Sequence, residues 1–250
     1  MINVWKGYKD FIVFDKKQED ELVTSFYLKA EDGAELPKHI PGQFIAIRVP
    51  LEDGKYSKAR QYTLSMDSKE DYYRVSIKRE AEGNVSKLLC DTVNVGDIIQ
   101  GSIPMGRFVL KDGDSPLVLI GGGIGITPML SMAYATVGTD RKVKLIYSLA
   151  NSKNHSFEDE INELVKNNDN IELTTIFTRP LEEDKLGEDF DFKGRINAEW
   201  MKENLPMDGE FYFCGPIEFM RTLYKGLEAM GVEKDAINYE LFAPGEDITK

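Results

Sequence analysis

The stretch that most constrains this chain is residues 116–135, PLVLIGGGIGITPMLSMAYA. Residues 117–120 are wholly apolar, the pattern of a short parallel strand buried on both faces. Gly121, Gly122, Gly123 and Gly125 follow at once. An apolar-periodic helix comes next, with Thr127 expected as its N-cap and Pro128 at its first helical position. A strand, a turn without side chains and a fresh helix N-terminus make a cradle for a phosphate. Glycines let the backbone approach an anion, and the N–H groups of the first helical turn point at it. A glycine-rich turn in any α/β protein shares these features, so the rest of the chain has to decide.

The details depart from the usual dinucleotide fingerprint. In Gly123-x-Gly125-x-x-Pro128 a proline stands where G-x-G-x-x-G has its third glycine. The next strand candidate, 143–148, runs into Leu149-Ala150-Asn151-Ser152, with no Asp or Glu for a ribose hydroxyl. A nucleotide domain fits; the ordinary dinucleotide-fold dehydrogenase does not.

Around this stretch the chain changes character. Residues 1–111 are β-rich, with strand-like runs at 11–13, 22–28, 44–49, 62–66, 72–77 and 98–102. Asp32-Gly33, Pro41-Gly42, Asp53-Gly54, Asp67-Ser68 and Gly96-Asp97 punctuate them, and one helix interrupts at 85–91. Short strands so closely spaced predict an antiparallel barrel or sandwich. Residues 111–116, KDGDSP, read as a linker. Beyond it strands at 117–120, 143–148, 171–177, 210–213 and 237–241 alternate with helices at 128–137, 157–167, 198–204 and 216–230. That alternation predicts a doubly wound parallel sheet over a second domain, 112–250.

Within the first domain, Arg60-Gln61-Tyr62-Thr63-Leu64-Ser65 sets a guanidinium and an aromatic ring on one face of a strand, with Gln61 and Thr63 on the other. Arg offers a fork of donors to a pyrophosphate, Tyr a flat surface to a ring, and Thr63 a hydroxyl. Gly83-Asn84-Val85-Ser86 then enters the small helix as a second possible phosphate site. A surface Arg beside a core Tyr, and an ordinary capped helix, are the plainer readings of each feature alone. One flavin dinucleotide needs both a ring platform and a pyrophosphate cradle, so the two reinforce each other.

Taken in order, PGQF at 41–44, RQYTLS at 60–65, VSIKRE at 75–80, GNVS at 83–86, PMGRF at 104–108, GGGIGITPM at 121–129, CGP at 214–216 and YELFAPGE at 239–246 resemble the ferredoxin–NADP reductase superfamily. The likeness covers essentially the whole chain and is greatest to the reductase portion of flavohaemoglobins. It implies a six-stranded Greek-key FAD barrel over 1–111 and a NAD(P)-binding α/β domain over 112–250, with the C-terminal strand and tail closing on the flavin. Carried over by position, Phe44, Arg60, Gln61, Tyr62, Thr63 and Lys78 would bind FAD, and Gly83, Val85 and Ser86 its pyrophosphate. Phe44 stands where the family often has a Tyr, so packing is implied there and a hydroxyl contact is not. Gly122, Gly123, Ile124, Gly125, Ile126 and Thr127 would hold the nicotinamide dinucleotide, Ile126 replacing the flavohaemoglobin Gln. Cys214, Gly215 and Pro216 would lie by the nicotinamide, with Phe242 as a ring cover. Thr63, Glu240 and Cys214 are the candidate catalytic residues. Arg179 could meet the 2′-phosphate of NADPH. The residues leave NADH against NADPH open, and the flavohaemoglobin likeness favours NADH.

The implied activity is an FAD-dependent NAD(P)H oxidoreductase that delivers electrons to an external protein or small-molecule acceptor, such as a haem or iron–sulfur protein. A flavin- or nucleotide-binding sensor, or a regulatory electron-transfer subunit without turnover of its own, is the alternative. The chain starts directly in the reductase likeness, so a stand-alone reductase without globin or haem is expected. Cys90 and Cys214 are the only cysteines, so neither a disulfide framework nor a four-thiolate cluster is expected. His39 and His155 are expected at ordinary polar positions, and no metal site is foreseen. A net charge of −12 argues against nucleic acid and anionic membrane as partners. No apolar run reaches the ~20 residues of a membrane span, and no signal peptide opens the chain, so a cytoplasmic monomer is expected.

Overall fold

The computed structural model describes residues 5–242 and 245–249. Two compact units divide it, Met1–Leu110 and Lys111–Lys250.

Unit 1 contains β1 (Lys9–Gln18), β2 (Val23–Ala30), β3 (Phe44–Arg48), β4 (Arg60–Thr63), β5 (Tyr73–Lys78), α1 (Asn84–Thr92) and β6 (Ile98–Gly101). The strand order is β4-β3-β6-β1-β2-β5, and every pair is antiparallel. A bridge between Leu64 and Val75 links the chain just after β4 to β5, so the two ends of the sheet meet in a barrel. The neighbours β3–β6, β1–β6 and β2–β5 are not consecutive in sequence, which is Greek-key connectivity. Alternation sets Phe11 and Val13, Phe26 and Leu28, Ile45 and Ile47, and Val75 and Ile77 into one interior, all of them fully buried. A bulge between Val13 and Asp15 shifts the β1–β2 register and leaves Phe14 outside, against Tyr27 and Tyr72.

Unit 2 follows the strand–helix alternation. It contains β7 (Leu117–Gly122), α2 (Ile126–Tyr134), β8 (Val143–Leu149), α3 (Glu158–Lys166), β9 (Ile171–Phe177), β10 (Phe192–Lys193), α4 (Ala198–Asn204), β11 (Glu210–Cys214), α5 (Ile217–Ala229) and β12 (Ile237–Tyr239). All strands are parallel, in the order β10-β9-β8-β7-β11-β12. The chain winds outward from β7 through β8 and β9, then returns to β11 on the other side. β7 and β11 therefore flank the topological switch point, where sheets of this kind bind ligands at the carboxyl ends of their strands. The two-residue β10 has no apolar run to announce it; it exists because Phe192 and Lys193 pair with Ile176 and Phe177. The chain after β12 returns to the core of unit 2, where Ile248 is fully buried.

The start of α2 differs from the expected one. Gly123–Gly125 forms a 3₁₀ turn that runs directly into the helix, so Gly125 is the N-cap and Thr127 lies inside the first turn. The Thr127 hydroxyl donates back to the Ile124 carbonyl at 3.0 Å instead of capping. Pro128 is the third helical residue, still within the turn whose N–H groups have no helical acceptor. Both histidines, His39 and His155, are buried. Burial pushes the His39 pKa down to about 4, so the ring is neutral at physiological pH.

Candidate functional site

In unit 1 the register fixes what β4 presents. Tyr62 lies opposite Ile45, and Arg60 opposite Ile47, so both share the face of two core residues. Tyr62 is half-buried against the barrel core together with Leu88 and Cys90 of α1. Burial, and then Cys90, push its phenol pKa up, so the hydroxyl stays protonated. Arg60 and Gln61 are exposed, while Thr63 is buried opposite Phe44. The Phe44 backbone exchanges hydrogen bonds of 2.9 Å with Met105, which lays the 104–108 loop alongside it. Gly106 has φ +120, and a Cβ there would press on the Phe44 ring at 3.0 Å. Lys78 is tied to Glu80 at 3.2 Å.

The chain enters α1 through Gly83, its N-cap, which has no side-chain capping bond. A Cβ on Gly83 would collide with the Ser86 hydroxyl and come within 3.0 Å of the Glu80 side chain. The Ser86 Oγ accepts from the Glu80 N–H at 3.3 Å, which leaves its own proton free to donate. Val85 is buried and roots the helix in the barrel core. Glycine at 83 thus lets the Ser86 hydroxyl pack close to the helix entry, beside first-turn N–H groups that no side chain caps, an arrangement suited to an anion.

The other end of α1 is held by charge. The Lys16 ammonium of β1 donates to the carbonyls of Cys90 at 3.0 Å and Val93 at 2.7 Å. Arg79 grips Asp91 with two bonds, of 2.7 and 2.8 Å. A cation on the last carbonyls complements the helix dipole. Lys16 belongs to no recognisable motif, and only the three-dimensional register of β1 and α1 reveals the cap.

In unit 2 the glycines bring distant segments together. A Cβ on Gly125 would land on the Cys214 carbonyl carbon at 2.5 Å, with the Gly215 nitrogen at 2.8 Å. One on Gly215 would meet the Gly122 Cα at 3.0 Å, and one on Gly122 would meet Pro216 at 3.0 Å and Phe219 at 2.9 Å. Gly122, Gly125 and Gly215 therefore pack backbone on backbone across the switch point. This seats Cys214-Gly215-Pro216 beside the β7 turn and places the start of α5 near the start of α2. Gly125 and Pro216 are their N-caps, and neither helix has a side-chain cap. Gly123 has φ +52 and open space beside it, the conformation that turns the chain over the cradle. Ile126 and Thr127 are buried, while Ile124 is half-buried on the turn.

Cys214 is fully buried at the end of β11. Desolvation, and then Glu240, push its thiol well above the ordinary range, so it is not a thiolate at neutral pH. Parallel pairing of Phe213 with Tyr239 puts Glu240 at the end of the adjacent strand. Burial raises the Glu240 carboxyl to about 7. Phe213 and Tyr239 stack at 5.7 Å, and Phe242 is exposed. Ala243 and Pro244 of the C-terminal motif lie outside the described residues. At the ends of β8 and β9, Arg179 donates its N–H to the Ala150 carbonyl at 2.9 Å and keeps an exposed side chain. Asp184 accepts from the Ser152 N–H at 3.4 Å and the Leu181 N–H at 2.8 Å, a bridge that no sequence spacing announced.

Among the described residues no group of three or more His, Cys, Asp or Glu gathers to hold a metal, and no helix is long and apolar enough to cross a membrane. An antiparallel barrel joined in sequence to a doubly wound parallel sheet is the architecture of FAD- and NAD-binding oxidoreductases.

Comparison with known proteins gives the family. Residues 11–110 match the model of the oxidoreductase FAD-binding domain, and residues 119–225 that of the oxidoreductase NAD-binding domain. A flavohemoprotein of Bacillus cereus is 38% identical over 253 residues, an alignment that takes in 98% of this chain and 63% of the relative. The chain thus spans less than two thirds of that relative's length. The flavohem-like FAD/NAD binding domain of nitric oxide dioxygenase from Vibrio cholerae is 34% identical with a TM-score of 0.85, covering 94% of this chain and 99% of that one. The flavohemoglobin of Malassezia yamatoensis, solved with bound FAD and heme, is 26% identical with a TM-score of 0.82, covering 94% of this chain and 60% of that one. The chain belongs to the FAD- and NAD-binding oxidoreductase domains of the flavohaemoglobin type, and so binds FAD and a nicotinamide dinucleotide.

Proposed function

We propose that this chain is an NAD(P)H oxidoreductase that passes electrons through FAD to an external acceptor. The observation that carries this is the packing of Gly122, Gly125 and Gly215, which sets two uncapped helix N-termini beside the buried Cys214. In this reading unit 1 is the FAD domain and unit 2 the nicotinamide domain. Bound flavin supplies a hydride acceptor at N5 and a donor of single electrons.

The protein's part is to bind and orient. Tyr62 offers the ring platform, and Arg60, Gln61, Thr63 and Phe44 border it. Ser86, Gly83 and the first turn of α1 hold the pyrophosphate, while Val85 fixes the helix. Lys78, paired with Glu80, binds FAD from the end of β5. Residues 122–127 hold the coenzyme pyrophosphate, and Cys214-Gly215-Pro216 border the nicotinamide. Glu240, with a carboxyl that titrates near neutrality, holds a proton at the edge of that site. Phe242 offers an exposed aromatic ring just after the last strand of unit 2.

The printed names of the relatives, flavohemoprotein and nitric oxide dioxygenase, support a haem protein as the acceptor. We place the protein in the cytoplasm as a monomer. Coenzyme-dependent reduction of an artificial one-electron acceptor tests the activity. Turnover that depends on added FAD is expected, whereas flavin binding without turnover would favour a sensor.

A further inference from the structure

The sheet order determines where a nucleotide seated on the β7 turn must extend. On one side lies β11 with Cys214; on the other, the end of β8. In doubly wound sheets the adenosine ribose lies by that second strand end, where an acid accepts its hydroxyls or an arginine takes a 2′-phosphate. The residues after β8 are Ala150, Asn151, Ser152 and Lys153, and none is acidic.

The fold supplies the missing acid from another loop. Asp184 lies beyond β9, yet its Oδ2 accepts from the Ser152 N–H at 3.4 Å and from the Leu181 N–H at 2.8 Å. The two loops are pinned together by Thr178 N–H to the Leu149 carbonyl and Arg179 N–H to the Ala150 carbonyl, both at 2.9 Å. Asn151 adds a side-chain bond to the Arg179 carbonyl at 3.4 Å. The carboxylate is therefore fixed against the end of β8. Desolvation pushes its pKa up, but the Ser152 hydroxyl and the Leu181 and Ser152 N–H groups outweigh this and hold it below the ordinary value. Both backbone bonds fall on Oδ2, and a carboxylate has about four lone-pair sites, so these two bonds do not exhaust its capacity to accept.

We infer that Asp184 is the ribose-recognising acid of the coenzyme site and makes the chain select NADH over NADPH. The inference rests on the reading of unit 2 as the nicotinamide-coenzyme domain. A ribose hydroxyl donates to the fixed carboxylate. A 2′-phosphate in the same place brings negative charge against it and has no proton to give.

The test measures dissociation constants of NAD⁺ and NADP⁺ by calorimetry on the FAD-loaded protein, with kcat/KM for NADH and NADPH alongside. Asp184→Asn keeps an oxygen for the Ser152 and Leu181 donors and removes only the charge; Asp184→Ser shortens the side chain. The wild type is expected to bind NAD⁺ about ten-fold or more tighter than NADP⁺. Each variant is expected to lower that ratio about ten-fold, mainly through tighter NADP⁺ binding. Tighter NADP⁺ than NAD⁺ binding by the wild type would overturn the assignment. So would a ratio within about two-fold of wild type in both variants; if both nucleotides still bind and bleach the flavin, the coenzyme reading then survives without Asp184. If neither nucleotide binds or bleaches the wild type, the reading of unit 2 fails and the assignment fails with it.

Discussion

The two helix entries proposed to hold phosphates are built by opposite means. At α1 the pocket is made by side chains and charge: the Ser86 hydroxyl lies within the first turn, and Lys16 and Asp91 fix the far end. At α2 it is made by backbone packed on backbone. Every residue from Ile126 to Ala133 is buried, and Gly121, Gly122 and Gly125 leave no room for a methyl group. The first design tolerates small changes, because a side chain or a charge can be altered without moving the chain. The second does not, because any added atom displaces β11 from β7.

This contrast predicts unequal responses to substitution. Gly125→Ala should have the largest effect, since its Cβ would overlap the Cys214 carbonyl. Overpacking of this kind costs about 3 kcal/mol, and thermal unfolding together with NAD⁺ affinity would register it. Unchanged unfolding would mean that the β7–β11 contact is not close-packed. Tyr62→Ala should come next, with FAD affinity reduced about ten-fold or more as an aromatic stacking surface is lost. The flavin content of the purified variant reads this directly, and full content would remove Tyr62 as the platform.

Glu240 gives a pH-dependent test. Its carboxyl rises from 4.5 to about 7 in the folded protein, so the native state binds the proton more tightly than the unfolded chain. The stability this contributes is complete below about pH 4.5 and is lost as pH rises through about 7. Relative to Glu240→Gln, the wild type should therefore lose about 1–2 kcal/mol across that window, a figure reduced for partial exposure. Denaturant unfolding at several pH values checks it; parallel curves for the two proteins would show that Glu240 titrates normally. The smallest effect is expected for Lys16→Met, about 0.5–1 kcal/mol at the end of α1 and about a three-fold faster release of FAD. Lys16→Arg should restore both, and equal losses in the two variants would point to packing rather than charge.

The same contrast explains what could be read from the sequence. The strand, turn and helix around α2 are legible because apolar residues 117–120 and the glycines after them form one contiguous signal. Its first helical turn was misplaced, since a 3₁₀ turn carries the helix back to Ile126 and makes Thr127 an interior residue. The α1 cradle was legible only as a short string, GNVS, because its support comes from Lys16 on a distant strand. Asp184 was not legible at all. Its relation to Ser152 depends on the parallel pairing of β8 with β9, which joins loops far apart in the chain. Contacts made by register leave no local pattern, whereas turns and buried strands do.

The central claim is that the two cradles serve one hydride transfer. Anaerobic titration of the FAD-loaded protein with NADH, followed at the visible flavin band, tests it most directly. The account predicts bleaching complete at about one equivalent, as expected for one two-electron donor per flavin. A flavin band that NADH and NADPH both leave unchanged would contradict it.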